Sequence, residues 1–209
     1  MTDEKREAER DSIAAALRRL AEGHQAPRFS VADLLAALGD HGFGLLVLAL
    51  ALPNAVPGPL IPGFSVPFAL GIAALGLQRA LGLNAPRLPR LLLHLSIKAA
   101  RFRRLVARTE PLLLRLERWL RPRRSALTEA PGDRLVGVAL IALSLVLALP
   151  VPFGNTPVAL SIIVLALGQL EDDGRALLLG LLAGLAASIW NAVLIFAGAE
   201  LISAAVGLG

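Results

Sequence analysis

Three long stretches of the sequence contain no charged residue, and they constrain the fold more than any other feature. The stretches cover residues 42–78, 135–170 and 176–199. A soluble domain of this size could bury one such stretch in its core, but three leave too little polar surface to cover them. A bilayer is the better solvent for them, so the sequence predicts an all-α membrane protein.

The first two uncharged stretches share one plan, in which two apolar arms flank a segment rich in proline. The arms are Leu45–Leu52 and Phe68–Leu77 in the first unit, and Leu140–Leu149 and Val158–Leu167 in the second. As a helix, 42–52 would rise only about 16 Å, roughly half the hydrocarbon thickness. Proline removes amide donors and breaks helices, so we predict two proline-broken helical hairpins. We favour re-entrant hairpins over hairpins that cross the membrane twice, because irregular backbone at membrane depth must be buried or line a wet cavity.

The two hairpins also look like an internal repeat. Leu46–Pro53 agrees with Leu143–Pro150 at six of eight positions, and Pro67–Leu77 agrees with Pro157–Leu167 at six of eleven. Repeats of this kind are common in transporters, although proteins that transport nothing also contain them. Inverted repeats could also arise between two chains that pair antiparallel, so the sequence is also compatible with a homodimer.

Five segments of one membrane domain follow from this pattern. They are N-terminal cytoplasmic or interfacial helices at 1–40, a first hairpin at 41–82, basic amphipathic interfacial helices at 83–134, a second hairpin at 135–174 and a C-terminal transmembrane segment at 175–209. Ser30 and Asp33 have the spacing of a capping box, which predicts a short helix from Ser30 to Gly39. Each hairpin returns the chain to the side it entered, so we expect the N-terminus, the basic segment and the Glu171–Asp173 turn on one face.

The segment from Arg79 to Arg124 contains 13 basic and 2 acidic residues. Its basic positions recur every three or four residues and predict one polar helix face, made of Arg87, Arg90, His94, Lys98, Arg101, Arg104 and Arg108. Few aromatic residues interleave with them, which argues against nucleic acid. Anionic phospholipid headgroups are the simpler partner, and the positive-inside rule places the segment in the cytoplasm of a multi-pass protein of the bacterial inner membrane.

The hairpin tips are the first candidate site, because each holds an asparagine inside a proline-bounded turn. An amide side chain can satisfy broken backbone groups or coordinate a solute, and capping of its own turn is the simpler alternative. The candidate residues are Pro53, Asn54, Pro57, Gly58, Pro67, Pro150, Pro152, Gly154, Asn155 and Pro157. Glu200 is a second candidate, as the only acid within the last hydrophobic segment.

Enzyme chemistry finds no support in the sequence. The histidines His24, His41 and His94 are scattered without metal-ligand spacing, and no glycine-rich phosphate loop follows a strand. The acidic turn at Glu171–Asp173 is more typical of solvated carboxylates than of a cation site. We therefore expect no catalytic residue, no cofactor and no metal.

Several segments, in this order, resemble the bacterial exopolysaccharide synthesis ExoD family. They are Leu34–Gly44, Ala51–Pro57, the region from Gln78 to Pro86–Pro89, Leu149–Asn155 and Ala166–Gly174, and the resemblance covers about residues 29–205. It implies a part in making or exporting surface polysaccharide, and it brings no catalytic signature with it.

Two functions remain open at this point. In the first, the paired hairpins build a polar spot inside the membrane for a solute, an ion or a lipid-linked sugar. In the second, a non-transporting membrane scaffold docks the polysaccharide machinery through its basic cytoplasmic helices. The first predicts polar residues gathered at the hairpin tips, and the second predicts tightly packed tips.

Overall fold

A computed structural model describes residues 28–30, 33, 42–55, 63–83, 85–88, 96–98, 100, 103, 107 and 125–206. The chain divides into two compact units. One contains Met1–Gly42 and Asn84–Pro122, and the other contains Phe43–Leu83 and Arg123–Gly209. The three uncharged stretches fall almost entirely in the second unit, which contains the five helices described below.

The first unit contains two short strands, β1 (Arg28–Ser30) and β2 (Ser96–Lys98), which pair antiparallel with Phe29 opposite Ile97. Directly after β1, the predicted capping box is confirmed. The hydroxyl of Ser30 accepts a hydrogen bond from the backbone N–H of Asp33 at 3.2 Å, and the Asp33 carboxylate accepts one from the backbone N–H of Ser30 at 2.9 Å. The rest of the predicted helix to Gly39 lies outside the described residues.

The strand β2 corrects one part of the predicted basic helix face. Lys98 is exposed but lies in β2, so the helical period does not run through it. Extended backbone is favoured here because each strand residue gains a hydrogen-bonding partner across the two-stranded ladder. Arg87 is exposed in irregular backbone between Pro86 and Pro89, where proline disfavours a helix. The other members of that face, Arg90, His94, Arg101, Arg104 and Arg108, lie outside the described residues.

Helices make up the regular structure of the second unit, which confirms the predicted helical fold. They are α1 (Gly42–Ala55), α2 (Val66–Ala80), α3 (Ala130–Ala148), α4 (Asn155–Leu170) and α5 (Gly174–Val206). The helix α3 begins five residues before the predicted start of the second hairpin, since Pro131 stands in its first turn, where a missing N–H costs nothing.

The expectation that Pro53 ends the first arm is wrong, because α1 continues through Pro53 to Ala55. A proline so close to the C-terminal end disturbs only the last turn. The side chain of Asn54 lies in that turn and donates from Nδ2 to the carbonyl of Leu50 at 3.2 Å. Proline does end α3, since Leu149 is extended immediately before Pro150.

In the acidic turn before α5, Asp172 is exposed as expected, whereas Asp173 is a buried helix cap. Asp173 is 3% exposed, and its Oδ1 accepts hydrogen bonds from the backbone N–H groups of Arg175 at 2.9 Å and Ala176 at 3.4 Å. These are orphan donors of the first helical turn, and a carboxylate there is also favoured by the helix dipole. The result is a continuous helix of 33 residues, about 50 Å long.

Glycines let the helices of the second unit approach closely. A Cβ on Gly76 of α2 would lie 2.8 Å from the carbonyl oxygen of Gly137 in α3, and one on Gly44 of α1 would lie 2.8 Å from the carbonyl oxygen of Ala166 in α4. Gly180 of α5 packs in the same way on Leu165 of α4. Such contacts bring helix backbones together and let apolar side chains such as Ile72, Leu140 and Ile162 become fully buried.

Two of the described helices are long and apolar enough to cross a membrane: Pro131–Ala148 and Gly174–Glu200. The other three, α1, α2 and α4, are apolar but shorter, at 14, 15 and 16 residues. The arms of the predicted hairpins are therefore longer than the sequence indicated, and the residues between α1 and α2 at 56–62 lie outside the described part.

Candidate functional site

The second unit has two distinct ends, which we call the base and the tip. At the base, Arg79 near the end of α2 pairs with Asp133 in the first turn of α3 at 2.8 Å, and its guanidinium lies 5.3 Å from the ring centroid of Phe43 at the start of α1. At the tip, α1 and α3 end and α2 and α4 begin. The candidate site is at the tip.

A hydrogen bond joins the two predicted hairpins at the tip. Asn155, the first residue of α4, donates from Nδ2 to the hydroxyl of Ser65 at 2.7 Å. Ser65 is 7% exposed and is the N-cap residue of α2, although its hydroxyl caps no backbone N–H of that helix. The two helix N-termini are therefore held together by side chains, and the pair contains no charge.

A third amide reaches the tip from α5. Asn191 is 1% exposed, and its Nδ2 donates to the carbonyl oxygens of Gly154 and Ala187, both at 3.0 Å. Because both partners are acceptors, the nitrogen of this amide must face them, which fixes where its oxygen points. Any side chain at position 154 would collide with Asn191 Oδ1, so glycine is required for this approach.

Several amide oxygens in the tip region are buried without a hydrogen-bond donor. They are Oδ1 of Asn54, Oδ1 of Asn155 and Oδ1 of Asn191. Leaving such an acceptor unsatisfied costs about 1–3 kcal/mol. Among the described residues, Nε of Arg79 and both amide atoms of Gln169 at the base are also unpaired, but only the tip brings together three unpaired acceptors, which a ligand or solvent molecule with O–H or N–H groups would stabilise.

The connection between α3 and α4 also holds an unusual backbone conformation. Phe153 has φ of 61° and an 80% exposed side chain. A bulky residue in the left-handed region is uncommon, and such strain tends to cluster at functional sites. Here it turns the chain so that the carbonyl of Gly154 reaches Asn191.

Among the predicted site residues, the structure brings Gly154 and Asn155 together and sets them against Ser65 and Asn191. Pro67 and Pro157 occupy the first turns of α2 and α4, and Pro150 and Pro152 lie in the connection between α3 and α4. Asn54 hydrogen-bonds within its own helix, beside Pro53. Pro57 and Gly58 lie outside the described residues.

Glu200, the acid predicted inside the membrane, is exposed near the C-terminal end of α5. It follows Asn191 by nine residues, so it lies about 13 Å beyond the tip along the helix. Within the described residues, no group of three or more His, Cys, Asp or Glu side chains could hold a metal ion.

Sequence reasoning missed Ser65 and Asn191. A signal for each was present. The alignment of Pro67 with Pro157 sets Ser65 opposite Asn155, 90 residues away. Asn191 is the only amide between Ala176 and Ala199, where an unpaired polar group would be costly.

Comparison with known proteins assigns the chain to a family. A family model described as "Exopolysaccharide synthesis, ExoD" matches residues 13–193. The chain belongs to the ExoD family. The match includes Ser65, Gly154, Asn155 and Asn191, so the whole tip cluster lies within the family region.

Two relatives match most of the chain at the same level of sequence identity. Protein ExoD of Rhizobium meliloti (strain 1021) is 32% identical over 170 residues, which cover 79% of this chain and 70% of the relative. An uncharacterised protein of Synechocystis sp. (strain ATCC 27184 / PCC 6803 / Kazusa) is 32% identical over 149 residues, covering 71% of this chain and 70% of the relative. No solved structure matches the chain.

Proposed function

We propose that this ExoD-family chain is an integral protein of the bacterial inner membrane that serves exopolysaccharide synthesis by passing or gating a polar solute at the joined hairpin tips. The family description supports the process. The observation that carries the site is the polar cluster of Ser65, Asn155 and Asn191, with its unpaired amide oxygens.

The exposed surface of the second unit supports membrane integration. Only 22% of the apolar stretch in Gly174–Glu200 is buried. Large apolar side chains stand exposed along α5 from Leu178 to Phe196, a rise of about 27 Å, which is close to the hydrocarbon thickness of a bilayer. A core helix of a soluble protein would be covered instead.

Positions along α5 indicate how deep in the membrane the hairpin tips lie. Asn191, which contacts the tip, lies 17 residues after Gly174, or about 25 Å along the axis. Apolar side chains continue beyond it, at Val193, Ile195 and Phe196, before Glu200. If α5 spans the bilayer between Gly174 and Glu200, the tips end about 13 Å short of the far end, which favours re-entrant hairpins.

Matching contacts support the internal repeat. The repeat equates Gly44 with Ile141, and Gly76 with Ala166. Gly44 packs on Ala166, and Gly76 packs on Ile141, so the two contacts are equivalent. Ser65 and Asn155 are equivalent positions that bond to each other. Both hairpins have their tips at the same end, which supports a repeat that is parallel rather than inverted within the chain.

Polar groups gathered at the tip favour a solute site over a scaffold with packed tips. We propose no catalytic role. Anionic phospholipid headgroups remain the proposed partner of the basic face, whose described members Arg87 and Lys98 are exposed.

Cysteine labelling tests the membrane arrangement, since the sequence has no native cysteine. Single cysteines at Asp172, Phe153 and Glu200 are treated with a membrane-impermeant maleimide in spheroplasts and in inverted vesicles. We expect Asp172→Cys to react only in inverted vesicles, Glu200→Cys only in spheroplasts, and Phe153→Cys in neither. A Phe153→Cys variant that reacts in spheroplasts as readily as Glu200→Cys would show that the hairpins cross the membrane.

Complementation tests the site. In a strain lacking the gene, Asn191→Leu should abolish restored exopolysaccharide production while the protein stays in the membrane fraction after alkaline carbonate washing. Ser188→Ala is the matched control, because its hydroxyl bonds only to the carbonyl of Gly184 in its own helix, at 2.8 Å. Full activity of Asn191→Leu would overturn the tip as the functional centre.

A further inference from the structure

We infer that the tip binds a neutral, hydroxyl-rich group, the chemistry of a sugar, rather than an ion. The inference rests on the proposed function and narrows its solute to one class. It follows from the donors and acceptors that the tip presents and from the charges that it lacks.

The side chains of the tip present acceptors in excess. The amide nitrogens of Asn155 and Asn191 are both engaged, with Ser65 and with backbone carbonyls. The corresponding amide oxygens have no donor, and that of Asn191 belongs to a side chain that is 1% exposed. A ligand must therefore offer O–H or N–H groups to these oxygens. Acceptor oxygens repel an anion such as a phosphate, so a purely anionic ligand does not fit.

The backbone of the tip presents donors. The helices α2 and α4 both begin here, and the first N–H groups of a helix have no acceptor within it. Pro67 and Pro157 have no N–H and that of Val66 bonds to the carbonyl of Gly63 at 3.1 Å, so the remaining donors include those of Phe68, Asn155 and Thr156. These N–H groups and the positive ends of the two dipoles disfavour a bare cation close to them. The C-terminal ends of α1 and α3 lie at the same end and offset part of that field. Neither sign of charge is therefore favoured overall.

No ionisable residue stands in the sequence at 53–68 or at 149–157. A divalent cation would need carboxylate ligands and an anion would need basic ones. A hydroxyl group both donates and accepts, so it can bond to an amide oxygen and to a helix N–H at once. Several hydroxyls on one ring would serve several of these groups, which is the arrangement of a sugar.

The exposed phenylalanines of the tip fit the same class of ligand. Phe64 is 45% exposed, its ring centroid lies 5.2 Å from that of Phe68, and Phe153 is 80% exposed. Phe64 and Phe153 directly precede Ser65 and Gly154 in the sequence, so the tip combines apolar rings with hydrogen-bonding groups, as specific small-molecule sites do.

Fluorescence of Trp190 tests the inference, because this residue adjoins Asn191 and is one of only two tryptophans, the other being Trp119. The full chain with Trp119→Phe is placed in lipid nanodiscs and titrated with octyl β-glucoside, octyl phosphate or octyltrimethylammonium, which share one alkyl chain. Sodium and potassium chloride form two further arms. We expect a saturable change with octyl glucoside alone, weakened at least tenfold by Asn191→Leu and unchanged by Ser188→Ala.

A saturable, Asn191-dependent response to the phosphate, the ammonium compound or a metal cation would overturn the neutral class and leave a tip site standing. A glucoside response that Asn191→Leu does not weaken, or no saturable glucoside response, would also overturn the inference. If Asn191→Leu does not fold, Ser65→Ala replaces it, because it removes only a hydroxyl, and the same tenfold loss is expected. The complementation result for the proposed function is separate, since it needs no knowledge of the ligand.

Discussion

The two ends of the helical unit are held together by contacts of opposite character. At the base, α2 meets α3 through the ion pair of Arg79 with Asp133. At the tip, the hairpins meet through an amide and a hydroxyl, and a second amide arrives from α5. Charged side chains are stable where water or lipid headgroups reach them and are destabilising in hydrocarbon. An ion pair at the base and neutral groups at the tip are therefore expected if the base lies at the membrane interface and the tip lies deeper in the bilayer.

The ends also differ in the kind of polar group that they contain. At the base, the carboxylate of Asp173 caps α5 by accepting hydrogen bonds from the backbone N–H groups of Arg175 and Ala176. The amide oxygens of Asn155 and Asn191 at the tip are buried and unpaired. At the base, Nε of Arg79 and both amide atoms of Gln169 are also buried and unpaired, so the clear difference is that charged groups hold the base together and neutral amides hold the tip together. Substitutions at the two ends should accordingly separate stability from function.

The largest effect is expected from Gly137→Ala at the base crossing. The added methyl would lie 2.7 Å from the carbonyl oxygen of Gly76 and collide with the backbone nitrogen of Ala80. Backbone atoms cannot rotate away as side-chain ends can, so α2 and α3 would be forced apart at a cost of about 3 kcal/mol. Thermal unfolding in detergent, followed by circular dichroism, should show a large loss of Tm.

Gly198→Ala is the control for that substitution. Position 198 is also inside a helix, but a Cβ there meets nothing within 4 Å. Its Tm should equal that of the parent chain or rise slightly, because alanine favours helix. Equal Tm values for the two alanine variants would contradict close packing at the base.

A smaller loss is expected from breaking the ion pair at the base. The side chains of Arg79 and Asp133 are 13% and 25% exposed, so the pair is screened less than a surface pair. Asp133→Asn should lower the free energy of unfolding by about 2 kcal/mol, since it leaves the guanidinium without its charged partner.

A double-mutant cycle with Arg79→Gln isolates the pair. The double variant should be more stable than the sum of the single losses indicates, by about 1 kcal/mol. Arg175→Gln, which changes an exposed arginine near the same end, should have little effect. Additive losses at Arg79 and Asp133 would mean that the ion pair does not join the two hairpins.

Gln169 offers an intermediate case, because it is an unpaired amide away from the tip. It lies near the end of α4, is 6% exposed, and neither Oε1 nor Nε2 has a hydrogen-bond partner. Gln169→Leu has similar volume and removes both unsatisfied groups, so we expect a gain of about 1 kcal/mol with exopolysaccharide production retained. A loss of production at unchanged stability would assign a functional role to the base as well.

Helical segments could be predicted from the sequence because uncharged stretches and prolines leave strong local signals. Their bounds could not, since Pro53 is tolerated inside α1 two residues before its end, where only the last turn is disturbed. The spacing of Lys98 alone predicts a helix. Its strand depends on pairing with Arg28–Ser30, almost 70 residues earlier, which no local period reveals.

Part of the candidate site, Asn155 with Gly154, could also be predicted from local sequence signals. Asn155 stands out because it is polar among prolines and apolar residues, but its partner depends on how the two hairpins pack. Asn191 is distant in sequence, and its role becomes visible only when Gly154 approaches α5 without a side chain between them. Asn54 carries the same local signal as Asn155 and yet bonds only to its own helix among the described residues.

The different hydrogen bonds of Asn54 and Asn155 lead to the last prediction, which concerns the substitutions with the smallest expected effect on stability. Asn155→Ala removes the hydrogen bond to Ser65 and should cost about 1 kcal/mol, whereas Asn54→Ala loses a bond within the last turn of α1 and should cost less. In a Ser65→Ala background, Asn155→Ala should cost almost nothing further, because its partner is already gone. Asn54→Ala should cost the same in either background.

Exopolysaccharide production should fall with Asn155→Ala by more than its stability loss accounts for, and should persist with Asn54→Ala. Equal effects of the two substitutions on production and on Tm would mean that the bond across the hairpins has no special role, and that both asparagines serve only their own turns.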